Sequence, residues 1–474
     1  MALFTLPICS WILLNIATGI SLTVPLQYCW WTLPAILIPA FLSFKTLHYL
    51  TFPPGLSELW GTITLIGLLH FCSLLYIKKW TIRADKQGDK STSWSRIYLT
   101  IQSWIKMYKI STNPRLVRLS KDDIVMPAMH RPIKSTAIHK DFSLTKPKLL
   151  FFNILLYILV IGFALPITFM PLHAHDFAAD KQVYFRRLLL PSHYALEQHV
   201  TIRETFLRFW FTLSSFWTMV LLLDCIHLML VIIFIVILRV DTPADWPDLF
   251  GHPSEAYTIG RFWTGQAHSA PWQFYEANSN RRFWHRVHLP SYSALAHVLI
   301  NRSPKFLTRS PGIRKSITTT LLFSFSGLFH LLTSVQLGQH CAISADLKFY
   351  LTNAVAVILE SSILHAFHTY QKSQTPSHTR SQNHKCTPTS TSKSQSRSHP
   401  PNTKPLFLRI LGYTYVFTFL FWCSPKFYYP KTYCALMDQQ QQLALALQNN
   451  TLDSNTNSNN NPFSLSLDIA VKGQ

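Results

Sequence analysis

The feature that most constrains this chain is a series of long apolar runs. About 20 consecutive apolar residues allow an α-helix to cross the hydrocarbon core of a bilayer, which is about 30 Å thick. A single water-soluble domain has no room for many helices that are apolar on every side. We therefore predict an all-α polytopic membrane protein with about eight transmembrane helices, in a range of roughly 7–10. The runs comprise residues 4–26, 30–50, 59–77, 149–170, 209–238, 317–335, 347–365 and 406–422.

The distribution of charge orients these helices. Charged residues make up only 14% of the chain, whereas soluble domains carry about 25%. The net charge of +22 is concentrated in residues 78–148, 261–315 and 372–404, while the connections 51–58 and 338–346 contain no Lys or Arg. Because basic loops remain in the cytosol, the three basic regions are predicted to be cytosolic and the two uncharged connections luminal.

This orientation, with an even number of spans, places both termini in the lumen of the endoplasmic reticulum. The first apolar run has no basic segment before it and another run follows closely, so it is predicted to be a retained helix. The glycosylation sequon at Asn449 is then luminal, and the sequon at Asn301 is cytosolic and stays unmodified. Residues 171–208 depart from the charge rule, because they are predicted to be luminal yet include the basic residues Lys181, Arg186, Arg187 and Arg203.

The chain is predicted to hold one membrane domain, residues 1–438, and a low-complexity tail, residues 439–474. Within the membrane domain, residues 78–148 form a basic cytosolic loop and residues 371–405 form a loop rich in Ser, Thr, Lys and His. The second loop and the tail are predicted to be disordered, because neither buries enough apolar surface to offset the entropy of an ordered chain.

Several function classes are disfavoured. The basic loops flank membrane spans and lack an aromatic-interleaved pattern, so nucleic-acid binding is not predicted. No glycine-rich phosphate loop is present, which argues against an ATP-driven pump. The eight cysteines are scattered without a CxxC pair, so neither a zinc site nor a disulfide framework is indicated.

Ionisable residues inside the apolar runs are costly, and by default they mark functional sites. Asp224 and His227 share a helix face, so they form either a self-satisfied buried pair or, with Glu360, part of a proton relay. His48 and His365 lie near the ends of their runs, where snorkelling to the interface is expected.

Two further histidines lie deeper in the runs. His70 either makes a hydrogen bond between helices or lines a site. His330 follows Ser324, Ser326 and Gly327, whose small side chains let another helix or a substrate approach closely.

Four short motifs follow one another between residues 243 and 335. In this order they resemble the wax-synthase-like branch of the membrane-bound O-acyltransferase (MBOAT) family, in particular fungal members that acylate alcohols, often terpenoid secondary metabolites. Outside this window the resemblance is limited to multi-pass hydropathy. The motifs are Trp246-Pro247-Asp248-Leu249-Phe250-Gly251, Tyr257-Thr258-Ile259-Gly260-Arg261-Phe262-Trp263, Arg282-Phe283-Trp284-His285 and Ser326-Gly327-Leu328-Phe329-His330.

The resemblance implies roles for individual residues. His330 is the general base that takes the proton of the acceptor alcohol, and His285 is the second polar residue, which assists the oxyanion or positions the acyl-CoA. Aromatic walls and cations complete the implied site; alternatively, the aromatic residues form an interfacial belt and the arginines anchor the cytosolic face. The implied tunnel walls are Trp263, Phe283 and Trp284, and the implied ligands of the CoA phosphates are Arg261, Arg282 and Arg286.

The sequence departs from the family pattern at residues 265–281. Deleting these about seventeen residues joins two motif halves that nearly abut in the family, so they are either an unspliced intron carried through translation or a real loop. The predicted function is acyl transfer, with acetyl-CoA as co-substrate and no bound cofactor, to a lipophilic alcohol within the bilayer. The alternatives are a long-chain wax or sterol ester synthase, a proton-coupled transporter and a non-catalytic membrane scaffold.

Overall fold

A computed structural model describes residues 2–50, 55–82, 124–125, 172–195, 198–242, 246, 249–251, 253–263, 289–304, 310–374 and 406–458. Within these ranges the chain is almost entirely helical, and the prediction of an all-α protein is confirmed. The α-helices are α1 (Ala2–Thr23), α2 (Leu33–Lys45), α3 (Leu56–Cys72), α4 (Tyr184–Leu189), α5 (Ile202–Val231), α6 (Ile259–Trp263), α7 (Leu289–Arg302), α8 (Pro311–Gln336), α9 (Ile343–Gln374) and α10 (Leu406–Ser458).

Short elements connect these helices. Two π-helical turns, Ser73–Ile77 and Ile232–Ile237, continue α3 and α5. A pair of two-residue strands, β1 (Thr81–Ile82) and β2 (Ile124–Val125), is antiparallel with Thr81 opposite Val125. The 3₁₀ turns are Leu26–Thr32, Leu47–Tyr49, Ala174–Phe177, Ala179–Val183, Pro191–His193, Pro253–Glu255 and His340–Ala342.

The described residues include six helices that are long and apolar enough to span a membrane. The predicted span at residues 149–170 lies outside the described residues. The run 30–50 differs from expectation, because it forms only the 13-residue α2 between two 3₁₀ turns, with prolines at its start and its middle. Thirteen helical residues measure about 20 Å, less than the hydrocarbon core. The six spans are Phe4–Thr23, Leu56–Ile77, Ile202–Ile237, Pro311–Gln336, Ile343–Gln371 and Leu406–Gln448.

The low-complexity tail, predicted to be disordered from residue 439 onward, is helical as far as Ser458. Its Gln, Leu and Ala residues are good helix formers, so the transmembrane helix propagates through them once it is nucleated. The 53 residues of α10 reach about 80 Å, which is far more than a bilayer core, so the helix projects beyond the membrane. Residues 459–474, and the predicted loop beyond Gln374, lie outside the described residues.

Helices α8 and α9 pack closely against each other. A Cβ atom at Gly327 would lie 3.1 Å from Cβ of Tyr350 and 3.3 Å from Cα of Leu347, so only glycine allows this approach without displacement. The prediction that small residues before His330 permit close packing is therefore confirmed. Helices α3 and α7 pack against α8, and α10 packs against α9.

Ion pairs account for two of the four basic residues that departed from the charge rule, Arg187 and Arg203. Arg187 donates to both carboxylate oxygens of Glu204, at 2.7 and 2.9 Å. Arg203 donates at 2.8 Å to Asp176. Burial would raise the pKa of Asp176, but the hydrogen bonds from Arg203 and the His173 backbone N–H outweigh it and hold this pKa below its usual value. Paired in this way, these arginines carry little net positive charge for the positive-inside rule to act on.

A disulfide joins Cys341, beside the start of α9, to Cys434 in α10, with their Cα atoms 6.4 Å apart. The cysteine pattern did not indicate this bond, because the two residues are 93 positions apart and only folding brings them together. Disulfides persist in oxidising compartments. The bond lies at the end of the bundle where the uncharged connection 338–346 was predicted to be luminal.

Candidate active site

His330 lies in α8, six residues before the helix ends at Gln336. Its ring stacks on Tyr350 of α9, with centroids 5.1 Å apart and planes 19° apart. Its Nδ1 atom is buried and, within the described residues, has no hydrogen-bond partner. The ring as a whole is only half-buried, although side chains of α3, α9 and α10 surround it. His330 is thus held by stacking, and its Nδ1 has no partner in the described part of the chain.

Three charged side chains form a cluster beside this ring. Lys431 Nζ lies 2.9 Å from Glu58 Oε1 and 2.9 Å from Asp346 Oδ1. The Ser334 hydroxyl donates to the other oxygen of Asp346 at 2.8 Å. One side-chain nitrogen of His330 and one oxygen each of Glu58 and Asp346 lie within 4.8 Å of one another.

The helix ends explain how these groups meet. Glu58 and Asp346 lie in the first turns of α3 and α9, where a carboxylate is favoured by the positive end of the helix dipole. Lys431 follows Pro430 in α10 and lies one turn from the disulfide at Cys434. The sequence analysis missed all three charges, because they flank apolar runs and resemble loop residues. The sequence signal that could have revealed them is that one lysine and two acidic residues all fall at the same end of the membrane helices.

An acid–acid–histidine group of this size has the donor set of a metal site. Here the lysine ammonium already contacts both carboxylates, so the chain itself supplies a positive charge between them. Asp346 is fully buried, whereas the Glu58 side chain is 33% exposed. A molecule that approaches the His330 ring could therefore contact the Glu58 carboxylate but not the buried Asp346 carboxylate.

The motif around Trp263 packs against α9 and α10. Glu360 of α9 accepts hydrogen bonds from the backbone N–H groups of Ile259, at 2.7 Å, and Gly260, at 3.3 Å, and so caps α6. A Cβ atom at Gly412 would clash with the Tyr257 carbonyl oxygen, which shows how closely α10 approaches the motif. Glu360 therefore has a structural task in this packing.

Aromatic rings connect this motif with His330. The indole of Trp263 donates to Asn353 at 2.8 Å and lies edge-on to Phe349, with ring centroids 6.3 Å apart. Phe349 is 5.3 Å from the Tyr350 ring, on which His330 stacks. The structure thus brings two of the sequence-predicted site residues, Trp263 and His330, into one aromatic series, although they are 67 positions apart in the chain.

Arg261 forms an ion pair with Glu255, with 2.5 Å between Nη1 and Oε2, and its guanidinium lies 4.4 Å from the Tyr257 ring centroid. Arg409 lies near the same ring, at 5.8 Å, and its buried Nε has no hydrogen-bond partner among the described residues. This face therefore holds two cations, one already paired and one with a buried donor unused.

The remaining predicted site residues fall in two groups. His70 is buried and its Nδ1 is 3.1 Å from the Ser291 hydroxyl of α7, so it links two helices. His227 lies beside Trp246, with ring centroids 5.4 Å apart, and His48 and His365 are exposed. The other group lies outside the described residues, together with the insertion 265–281, and comprises Arg282, Phe283, Trp284, His285 and Arg286.

Comparisons with known proteins give partial similarity. The chain is similar to the acetyltransferase spyB of Aspergillus fumigatus, with 26% identity over 29% of this chain and 20% of that protein. It is similar to the acetyltransferase ataH of Aspergillus terreus, with 28% identity over 26% of this chain and 35% of that protein. A third relative, the acetyltransferase nanB of Aspergillus nanangensis, shows 28% identity over 34% of this chain and 32% of that protein. The matched parts thus span a third or so of these relatives at most.

No family model matches the chain, and no solved structure matches it. The similarity to proteins named acetyltransferases and the geometry around His330 are therefore two independent observations.

Proposed function

We propose that this protein is a membrane-embedded O-acyltransferase of the wax-synthase-like MBOAT type. It transfers an acetyl group from acetyl-CoA to a hydroxyl group of a lipophilic acceptor of the terpenoid kind. The observation that carries this proposal is the half-buried His330 ring with its unpartnered Nδ1, at the end of an aromatic series that begins in the Trp263 motif. The acetyltransferase names of the relatives support the reaction type.

In the proposed reaction, His330 accepts the proton of the acceptor hydroxyl as the oxygen attacks the thioester carbonyl carbon. A C–O bond forms, and collapse of the tetrahedral intermediate breaks the C–S bond. The leaving CoA thiolate then takes the proton from the imidazolium. The products are the acetyl ester and free CoA, and His330 returns to its neutral form.

The acyl donor is proposed to reach His330 from the cytosolic face, along Trp263, Phe349 and Tyr350. A water-poor, aromatic path protects the thioester from hydrolysis. At the mouth of this path, Arg409 is proposed to join Arg261, Arg282 and Arg286 in binding CoA phosphates. His285 is proposed to support the oxyanion, and Phe283 and Trp284 to complete the wall.

The decisive experiment mixes the purified protein in nanodiscs with acetyl-CoA and farnesol, a lipophilic alcohol. We expect release of free thiol that depends on farnesol, with farnesyl acetyl ester detected by mass spectrometry. Faster turnover with palmitoyl-CoA would instead favour the wax or sterol ester synthase. Absence of alcohol-dependent thiol release with both donors, together with uptake driven by a pH gradient, would replace the proposal with the transporter.

We also propose that the protein resides in the endoplasmic reticulum, with the Asn449 end of α10 in the lumen. The disulfide at Cys434 on the same helix supports this orientation, because it belongs to an oxidising compartment. In a microsomal preparation, the wild-type protein should show an endoglycosidase-sensitive gel shift that Asn449→Gln abolishes. Asn301→Gln is the matched control and should leave the shift unchanged. Modification at Asn301 would reverse the orientation.

A further inference from the structure

The charged side chains around His330 do not cancel one another. With the imidazole neutral, the ionised Glu58 and Asp346 and the protonated Lys431 give the cluster a net charge of −1. Transfer of one proton to His330 brings the cluster to zero. Because charge interactions are strong in a site from which water is largely excluded, a cluster with this charge favours the imidazolium that forms during the reaction.

The two acids contribute differently. Asp346 is fully buried; its Oδ2 accepts a hydrogen bond from the Ser334 hydroxyl, and its Oδ1 lies 2.9 Å from Lys431 Nζ in an ion pair. Glu58 uses one oxygen for Lys431, and its Oε2 accepts no hydrogen bond from the described residues. One oxygen each of Glu58 and Asp346 lies within 4.8 Å of a ring nitrogen of His330, so the Glu58 charge is close enough to act on the ring.

We propose that Glu58 is a positioning residue for acyl transfer, whose charge stabilises protonated His330 while Lys431, anchored by Asp346, holds the Glu58 carboxylate in place. This inference rests on the proposed function and assigns the residue that assists its general base. In the step concerned, the acceptor O–H bond breaks and an N–H bond forms on His330. The proton later leaves with the CoA thiol, so Glu58 itself gains and loses nothing.

Other titratable groups face His330 from every helix packed around it, so the test must isolate the charge of Glu58. The groups beside the ring are Glu58 on α3, Asp346 and Tyr350 on α9, and Lys431 on α10. Tyr428 on α10 interacts with Glu58 and Asp346, and Tyr292 on α7 interacts with Tyr350.

The test compares Glu58→Gln with Glu58→Asp in the full-length protein, with acetyl-CoA and farnesol as substrates. Gln keeps the shape of Glu58 and can still accept from Lys431, so the variant should accumulate normally. Its kcat should fall by about 10²-fold with KM little changed, as expected for loss of a unit charge about 5 Å away at an effective dielectric constant of about 20. The acidic limb of its pH–rate profile should move to lower pH, because a less stabilised imidazolium loses its proton more readily. Glu58→Asp keeps the charge and should keep the wild-type limb.

Glu204→Gln is the control, because Glu204 is also an ion-paired carboxylate, bound to Arg187 and outside the cluster of Glu58, Asp346 and Lys431. It is expected to lower the yield without moving the acidic limb. An unchanged rate and limb in Glu58→Gln, or an equal shift in Glu58→Asp, would overturn the role of the Glu58 charge while the transferase stands. A wild-type protein with no alcohol-dependent thiol release would overturn the proposed function and this inference together.

Discussion

Replacing His330 with alanine is expected to reduce acetyl transfer by about 10²–10⁴-fold, the usual loss when a positioned general base is removed. The physical reason is that, in the proposed reaction, no other described group offers an unpartnered nitrogen at the end of the aromatic series. Alcohol-dependent thiol release by purified protein, normalised to protein amount, measures the effect.

The same variant should insert and accumulate normally. His330 makes no hydrogen bond within the described part of the chain, so alanine leaves no polar partner unsatisfied. His48→Ala is the matched control, because His48 is exposed and should retain full activity. Near-normal turnover in His330→Ala would refute the mechanism. Disappearance of the variant from the membrane would instead assign His330 a purely structural role.

Replacing Lys431 with methionine is expected to cause the largest loss of stability. The ammonium group lies 2.9 Å from two carboxylates, and its removal leaves Glu58 and Asp346 facing each other without compensation. Breaking a buried ion pair by removing one partner costs about 3–5 kcal/mol. The yield of monodisperse protein in detergent and the midpoint of thermal unfolding should both fall.

Lys426→Met serves as the control on the same helix. Lys426 Nζ lies 3.5 Å from the Trp422 ring centroid, a cation–π contact worth about 1 kcal/mol, so its loss should be mild. Adding Asp346→Asn to Lys431→Met removes one of the opposed charges and should recover part of the lost stability. A Lys431→Met protein with the wild-type midpoint would show that this ion-pair cluster does not stabilise the fold.

The sequence determined the class of this protein through its apolar runs. Their length predicts helices that cross a bilayer, and the described residues contain six helices that are long and apolar enough to do so. The small residues before His330 predicted the close approach of α8 and α9, because a missing side chain leaves room whatever the partner is. Both features could be predicted from the sequence, because the length of an apolar run and the size of a side chain depend only on a short stretch of the chain and on the solvent around it.

Tertiary structure alone decided which charges surround His330. Glu58, Asp346 and Lys431 come from three different helices, and each stands at the edge of an apolar run where a charge is ordinary. Cys341 and Cys434 meet for the same reason, across 93 positions. Hydropathy places a residue at a depth in the membrane, but it carries no information on which helices are neighbours. That choice depends on side-chain packing and on buried charges finding partners, which only the assembled bundle provides.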